Sequence, residues 1–412
     1  MRQTLPLPML EEEVGERLVQ PAFYTAFQCI GAACEDTCCE GWGVSVDKAT
    51  YDKYQNSSDM ELGAKLKNLV TIKEGGSDAM YASIQSTGGR CAFLADGLCS
   101  IQKRLGEDYL GRTCATYPRI SNTLGNRRER SLDLSCPEAA RLALLDPKPM
   151  QFGEAFTEQG SNSGVRKLII DLLQNRDYPV SQRLILVGRV CDEWSKLEES
   201  SVSEETRTRF LKLFALTVEN KLYEADWPQC STDPATHLAT VLELMVARLR
   251  LDYTSPRYMD LYRDFAHGLQ LKTGDTPEEI GSRYAEVYRR YYAPCMERHE
   301  YILENYLVAY AFKTMFPFGS PSVNRLLNLQ KVGSTPLVQY MLMGSYFSMS
   351  KTVMIGLAGK HKADFSLEHM VRAIQSISKT MEHCETYPIR LLEILTSKGI
   401  KDSAGMAVLI QN

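Results

Sequence analysis

Eight of the twelve cysteines fall between Cys29 and Cys136, and Cys191, Cys230, Cys295 and Cys384 stand singly through the rest of the chain. The dense stretch reads Cys29-x4-Cys34-x3-Cys38-Cys39, then after a long insertion Cys91-x7-Cys99-x14-Cys114-x21-Cys136. Thiols concentrated in this way point to a site. No histidine precedes His237, so a metal bound here would take thiolates first, with carboxylate or water as the other donors. That limits the chemistry to zinc held by four cysteines or to an iron–sulfur cluster.

At 412 residues, 44% of them hydrophobic, the chain can bury a substantial core in more than one domain. A formal net charge of −4 with both signs interspersed argues against a general polyanion binder. The segment Met1–Val14 carries Glu11, Glu12 and Glu13 and lacks a basic region followed by an apolar run, so no signal peptide is expected and the sequence predicts a cytoplasmic protein. In that reducing compartment clustered cysteines bind metal or do redox chemistry more often than they pair as disulfides.

The pattern predicts a mainly α protein in two parts. Residues 1–146 form a small Cys-rich α+β metal-binding domain with short hairpins, 147–159 a linker, and 160–412 a larger helical domain. Asp47 is an N-cap candidate for a helix over Lys48–Tyr54. The dipeptide Asp96-Gly97 supplies the positive φ of a tight turn, predicting a hairpin over Arg90–Gln102 with Cys91 and Cys99 on opposite arms. A second hairpin turns at Gly125-Asn126 and is expected to bring Cys114 toward Cys136, so that the four later cysteines converge. Beyond Pro137 apolar residues recur at helical spacing: Val165, Leu168, Ile169 and Leu172; Leu184, Val187, Val190 and Trp194; Leu238, Val241 and Met245. Thr276-Pro277-Glu278-Glu279 is a capping box. The most apolar helix, Leu337–Ala358, contains Gln339, Ser345, Ser348, Ser350 and Lys351, which favours a buried core helix over a membrane span and leaves peripheral membrane contact open.

Zinc fingers and ribbons present Cys-x2-Cys knuckles, and none occurs here. Irregular gaps suit the larger cubane better, because its iron corners accept thiolates from separate loops. Adjacent Cys38 and Cys39 are expected to point apart, one as ligand and one as a neighbouring thiol. Cys34-x3-Cys38 matches the start of the radical S-adenosylmethionine motif, but Gly41 stands where its last cysteine would be. Gly356-Leu-Ala-Gly359 is a weak nucleotide-binding signal, since it follows a helical run. Buried packing explains isolated cysteines well, and the four scattered ones are read that way, as are the separate late histidines His299, His361, His369 and His383. Tyr284–Tyr292, with Arg289 and Arg290, reads as an amphipathic face with tyrosines packed and arginines solvated.

Taken together, Cys29-Ile-Gly-Ala-Ala-Cys34-Glu-Asp-Thr-Cys38-Cys39-Glu-Gly-Trp42, Cys91-Ala-Phe-Leu-Ala-Asp-Gly-Leu-Cys99, Thr113-Cys114-Ala-Thr-Tyr117-Pro118-Arg119 and Leu134-Ser-Cys136-Pro-Glu-Ala-Ala-Arg141 resemble the flagellin lysine-N-methylase (FliB) family. The first half also resembles a wider group of clustered-cysteine zinc- or iron-chelating proteins. The resemblance implies S-adenosylmethionine-dependent methylation of flagellin lysines by a protein carrying a [4Fe–4S] cluster, with Cys29, Cys34, Cys38, Cys39, Cys91, Cys99, Cys114 and Cys136 as the pool of metal ligands. The competing reading is a non-catalytic zinc- or iron-delivery protein whose helical part is a partner platform.

Overall fold

A computed structural model describes residues 17–153, 160–221, 233–251, 254–321, 323–324, 327 and 332–411. Most of the lead-in, part of the expected linker, and Cys230 lie outside the described residues.

The protein is mainly α. In the first third, short strands alternate with short helices: β1 (Arg17–Val19), α1 (Ala22–Ala26), β2 (Val44–Val46), α2 (Lys48–Gln55), α3 (Met60–Leu69), β3 (Val70–Ile72), β4 (Ala82–Ile84), β5 (Ser86–Thr87), β6 (Arg90–Cys91), β7 (Leu94–Ala95), β8 (Leu98–Cys99), α4 (Ser100–Leu105), α5 (Arg112–Thr116), β9 (Arg119–Leu124), β10 (Arg127–Leu132) and α6 (Pro137–Leu144). Strand β10 pairs antiparallel with β9 and parallel with β1, β4 lies between β2 and β3, and β5–β6 and β7–β8 are two-stranded ribbons. Helices follow: α7 (Ser161–Leu173), α8 (Val180–Glu199), α9 (Glu204–Glu219), α10 (Pro234–Leu249), α11 (Pro256–Gly268), α12 (Pro277–Val287), α13 (Ala293–His299), α14 (Tyr301–Lys313), α15 (Pro336–His361), α16 (Leu367–Ile377), α17 (Tyr387–Ser397) and α18 (Ser403–Ile410). Two π-helical turns interrupt them, at Tyr288–Tyr292 and Ser378–Glu382.

The expected caps are present. Asp47 accepts from the Thr50 amide at 2.9 Å and also from the Arg112 amide at 3.0 Å, so one carboxylate caps both α2 and α5. Burial pushes its pKa up, but these hydrogen bonds hold it below the usual carboxylate range. The Thr276–Glu279 capping box opens α12.

Helix α15 is the axis of the body, with every residue from Gln339 to Ala358 buried. Its serines do not need water: Ser345 and Ser350 donate back to the Met341 and Tyr346 carbonyls, and Ser348 donates to Leu409. Among the described residues no helix is long and apolar enough to cross a membrane. The pair Gly356 and Gly359 proves to be a packing device. A Cβ on Gly268 of α11 would lie 1.8 Å from the Gly356 carbonyl oxygen, and one on Gly359 would lie 2.5 Å from the Gly268 oxygen, so the two backbones touch here. Tyr284 and Tyr292 are buried while Arg289 and Arg290 are exposed, as the amphipathic reading expects.

Two hydrophobic cores result. The small one gathers Val44, Val46, Tyr54, Leu62, Leu66, Val70, Ala82, Ile84, Phe93 and Ile101. The large one holds the helical part together and also takes Val19, Phe23, Phe27 and the stretch from Leu132 to Leu144 out of the Cys-rich sequence.

Candidate metal centre and its seam with the helical body

The thiols divide as the cores do. Cys91, Cys99 and Cys114 pack against the small core, whereas Cys136 is part of the large one. Backbone pairing explains the first grouping. The Cys91 amide donates to the Cys39 carbonyl at 2.9 Å, Gly41 donates to Gly89 at 2.9 Å, and Glu40 bridges Arg90, so the Cys38–Cys39 turn is laid along β6. Cys99 enters from β8, where it pairs with Leu94, and Cys114 sits on α5 under the Asp47 cap.

Three of the expected placements are corrected. The hairpin at Asp96-Gly97 has arms of only two residues, so Cys91 falls on the preceding ribbon opposite Ser86 and not opposite Cys99. The second hairpin forms, but Cys136 joins Cys29 and Cys34 electrostatically while Cys114 joins Cys38, Cys91 and Cys99. Cys38 and Cys39 also do not point apart. They occupy a turn, and their thiols hydrogen-bond to each other.

Within the larger set Cys39 also hydrogen-bonds Cys99 and keeps its proton, its pKa raised by those two bonds and by burial. The Cys38 thiol is lowered to about 7 by the Cys39 hydrogen bond, with help from the Lys379 charge, and Cys99 is lowered to about 6 by the same partner. Burial raises Cys114 and Cys136 to about 12. Two thiols made more acidic beside a shared hydrogen-bond partner are suitable sulfur donors for a metal centre. Among the described residues no group of three or more His, Cys, Asp or Glu side chains has the compact arrangement that holds a single metal ion. The larger set is an open gathering of sulfur donors.

Between the two sets runs a polar seam. Lys379, on the π turn after α16, donates to Asp36 at 2.7 Å and to the Thr37 carbonyl at 2.9 Å. Gln375 donates to Asp36 at 2.7 Å and to the Ser135 carbonyl at 2.8 Å. The loop between Cys34 and Cys38 is thus fastened to the helical body by buried groups. Gly41 has φ +106°, and a Cβ there would come within 3.3 Å of the Lys379 side chain. A cysteine completing the radical motif would press on that lysine and would have to adopt a backbone φ that side chains rarely take.

Further along, Lys313 of α14 lies 3.3 Å from Asp133 and 2.5 Å from Glu382. Burial pushes the Asp133 carboxyl up, but Lys313 and His383 outweigh it and hold it well below the usual range. His383 Nε2 is 3.1 Å from Ser135 Oγ and 3.2 Å from Asp133 Oδ1. Both partners use one ring nitrogen, unlike a nucleophilic relay, where hydroxyl and carboxylate take opposite nitrogens. The Trp42 ring stands 4.8 Å from the His383 ring and 5.2 Å from Tyr117, whose hydroxyl is 3.0 Å from Ser135 Oγ. Burial raises the Tyr117 phenol well above its ordinary value, and Cys136 and Cys38 add to this from the two thiol sets. The sequence offers no local signal for this assembly, because His383 is separated from Ser135 by 248 positions. A depression of about 670 Å³ lined by Asp47, Lys48, Asp52, Asp78 and Arg112 lies elsewhere on the small lobe.

Comparison with known proteins gives a consistent result. The FliB lysine N-methylase C-terminal domain matches residues 166–409, the half for which the sequence offered no quotable motif. The flagellar biosynthetic protein FliU of Salmonella muenchen is 39% identical over 139 residues, 33% of this chain and 82% of that protein. The lysine-N-methylase of Salmonella typhimurium is 37% identical over 139 residues, and the alignment spans 33% of this chain and 35% of that protein. The lysine-N-methylase of Salmonella choleraesuis gives the same figures. No solved structure matches. The match over the helical half and the similarity to these relatives establish that the chain belongs to the FliB lysine N-methylase family, a family of protein-lysine methyltransferases.

Proposed function

We propose that this protein methylates lysine side chains of flagellin in the cytoplasm, taking the methyl group from S-adenosylmethionine and carrying a [4Fe–4S] cluster on the Cys38, Cys39, Cys91, Cys99 and Cys114 lobe. The observation that carries the reading is the family match over residues 166–409, joined by relatives that are themselves lysine-N-methylases. The gathering of five thiols supports the cluster, and the proximity of Lys379 to Cys38 suits an anionic, sulfur-rich centre.

The chemistry needs little from a metal. A lysine ammonium, ordinarily with a pKa of about 10.4, must lose its proton before its nitrogen can attack. The nitrogen lone pair then forms the N–C bond as the S–C bond breaks, and the sulfur keeps the electron pair. When bound, the cluster would supply an iron to anchor the amino-acid end of the methyl donor. The chain's own task is to hold the donor against the substrate lysine, exclude water and accept the proton.

Anaerobic purification followed by iron, sulfide and zinc analysis tests the cofactor part. Iron and sulfide in near-equal amounts with broad visible absorption is the expected outcome. Zinc without sulfide would reduce the small lobe to a structural staple and remove the cluster from the proposal.

A further inference from the structure

We propose that His383 is the proton acceptor for the substrate lysine, in a nook framed by Trp42, Tyr117 and the Asp133 carboxylate at the seam between the two cores. The inference rests on the methyltransferase reading and assigns a residue within it.

The tautomer follows from the partners. Asp133 is buried and meets Nε2, so the neutral imidazole carries its proton on Nε2, donates it toward the carboxylate, and keeps its lone pair on Nδ1. The ring retains 29% exposure while the carboxylate retains 9%. Nε2 is therefore anchored in the interior, the ring packs against Trp42, and part of it remains open to solvent.

The imidazolium that proton transfer creates lies beside the Asp133 carboxylate, with Nε2 3.2 Å from Oδ1. The charged groups of the seam are Asp36 and the Asp133 carboxylate from the Cys-rich sequence, Lys313 from α14, Lys379 and Glu382 from the π turn, and, beside Asp36, Arg257 of α11 with its partner Glu35. The neutral Tyr117 phenol completes the polar wall through Ser135. The Trp42 ring, against which His383 and Tyr117 pack, already carries the Lys379 ammonium 5.3 Å from its centre, so this wall accommodates positive charge.

The step balances. His383 Nδ1 takes one proton from the lysine ammonium, the freed nitrogen accepts the methyl from the sulfonium donor, and the proton passes to solvent from the open edge of the ring. One proton is released for each methyl transferred.

The test uses the full-length holoprotein with purified flagellin and S-adenosylmethionine, measuring kcat and KM across pH for the wild type, His383→Gln and His383→Gly with and without added imidazole. Iron content and thermal unfolding are followed in parallel. The expected result for His383→Gln is a fall in kcat of about 10²-fold or more with KM for flagellin unchanged. The acid limb of the wild-type profile should vanish, leaving a rate that climbs steadily with pH, and imidazole should restore part of the His383→Gly rate. Wild-type kcat and pH profile in His383→Gln would overturn the assignment. So would activity that disappears together with iron or fold and is not restored by imidazole, since that pattern marks a structural role. A wild-type protein that transfers no methyl at all defeats the proposed function itself, and this inference with it.

Discussion

The small thiol lobe and the helical body are held together by different means. The body surrounds a 26-residue helix buried without a break from Gln339 to Ala358, and its cohesion is mainly apolar contact, which needs no ligand. The lobe has ten buried apolar residues around Phe93, strands of two or three residues, and five thiols at its edge. A core that small gains much from a metal or cluster bound across its loops. The contrast teaches that the family's two halves fail differently: the body by spoiled packing, the lobe by lost caps or lost thiolates, and the seam by unpaired charge.

The seam gives the largest expected effect. Lys379→Met leaves the buried Asp36 carboxylate without its cation and should cost about 3–5 kcal/mol in denaturant unfolding. The double change Asp36→Asn with Lys379→Met should recover much of that loss. Recovery would show that the pair fastens the Cys34–Cys38 loop through charge balance; failure to recover would show that the lysine's packing against Gly41 and Trp42 matters more.

Next comes the body alone. Gly268→Ala drives a Cβ against the Gly356 carbonyl and should destabilise the protein by about 3 kcal/mol. Iron content per folded molecule should not change. If iron falls in proportion to stability, the two regions are not separable in the way described.

A third effect belongs to the body and depends on pH. His237 is buried, with Nε2 3.1 Å from Thr352 Oγ1, and burial aided by Lys351 lowers its pKa to about 3. Between about pH 6.5 and about pH 3 the unfolded chain holds a proton on this residue that the folded chain does not. Stability should therefore fall with acidification by about 1.4 kcal/mol per pH unit from this group. Asp133, held low, adds its own loss only below about pH 4, the ordinary carboxylate range. His237→Gln should flatten the slope between pH 6 and pH 4, and an unchanged slope would assign it elsewhere.

The smallest effect belongs to the lobe. Asp47→Ala removes caps from α2 and α5 and should cost about 1–2 kcal/mol. It should also loosen Cys114, raising that thiol's rate of alkylation in metal-free protein. Unchanged alkylation would mean that α5 is held by the small core and not by its cap.

How legible this was depends on the range of the interaction. Asp47, the capping box at Thr276 and the turn at Asp96-Gly97 are local signals, and each is where the residues indicated. The helical repeats marked Val165, Leu184 and Leu238 as core because one face of a helix is a property of nearby residues. The partition of the thiols was not legible, because it is set by the pairing of β6 with β5 and with the Cys39 turn, and two-residue strands carry no register signal. His383 was read as an isolated histidine, since nothing near it in sequence announces Asp133, Ser135 or Trp42. The Gly356–Gly359 pair, a weak nucleotide-binding signal in the sequence, is a helix contact, where the absence of two side chains lets α11 and α15 touch.

The most direct test of the central claim is the intact mass of flagellin co-expressed with this protein and with its Cys39→Ser/Cys99→Ser variant. The account predicts increments of about 14 Da per methyl with the wild type and none with a variant that folds but lacks iron. Unmodified flagellin beside the wild type, or full methylation by the iron-free variant, would contradict it.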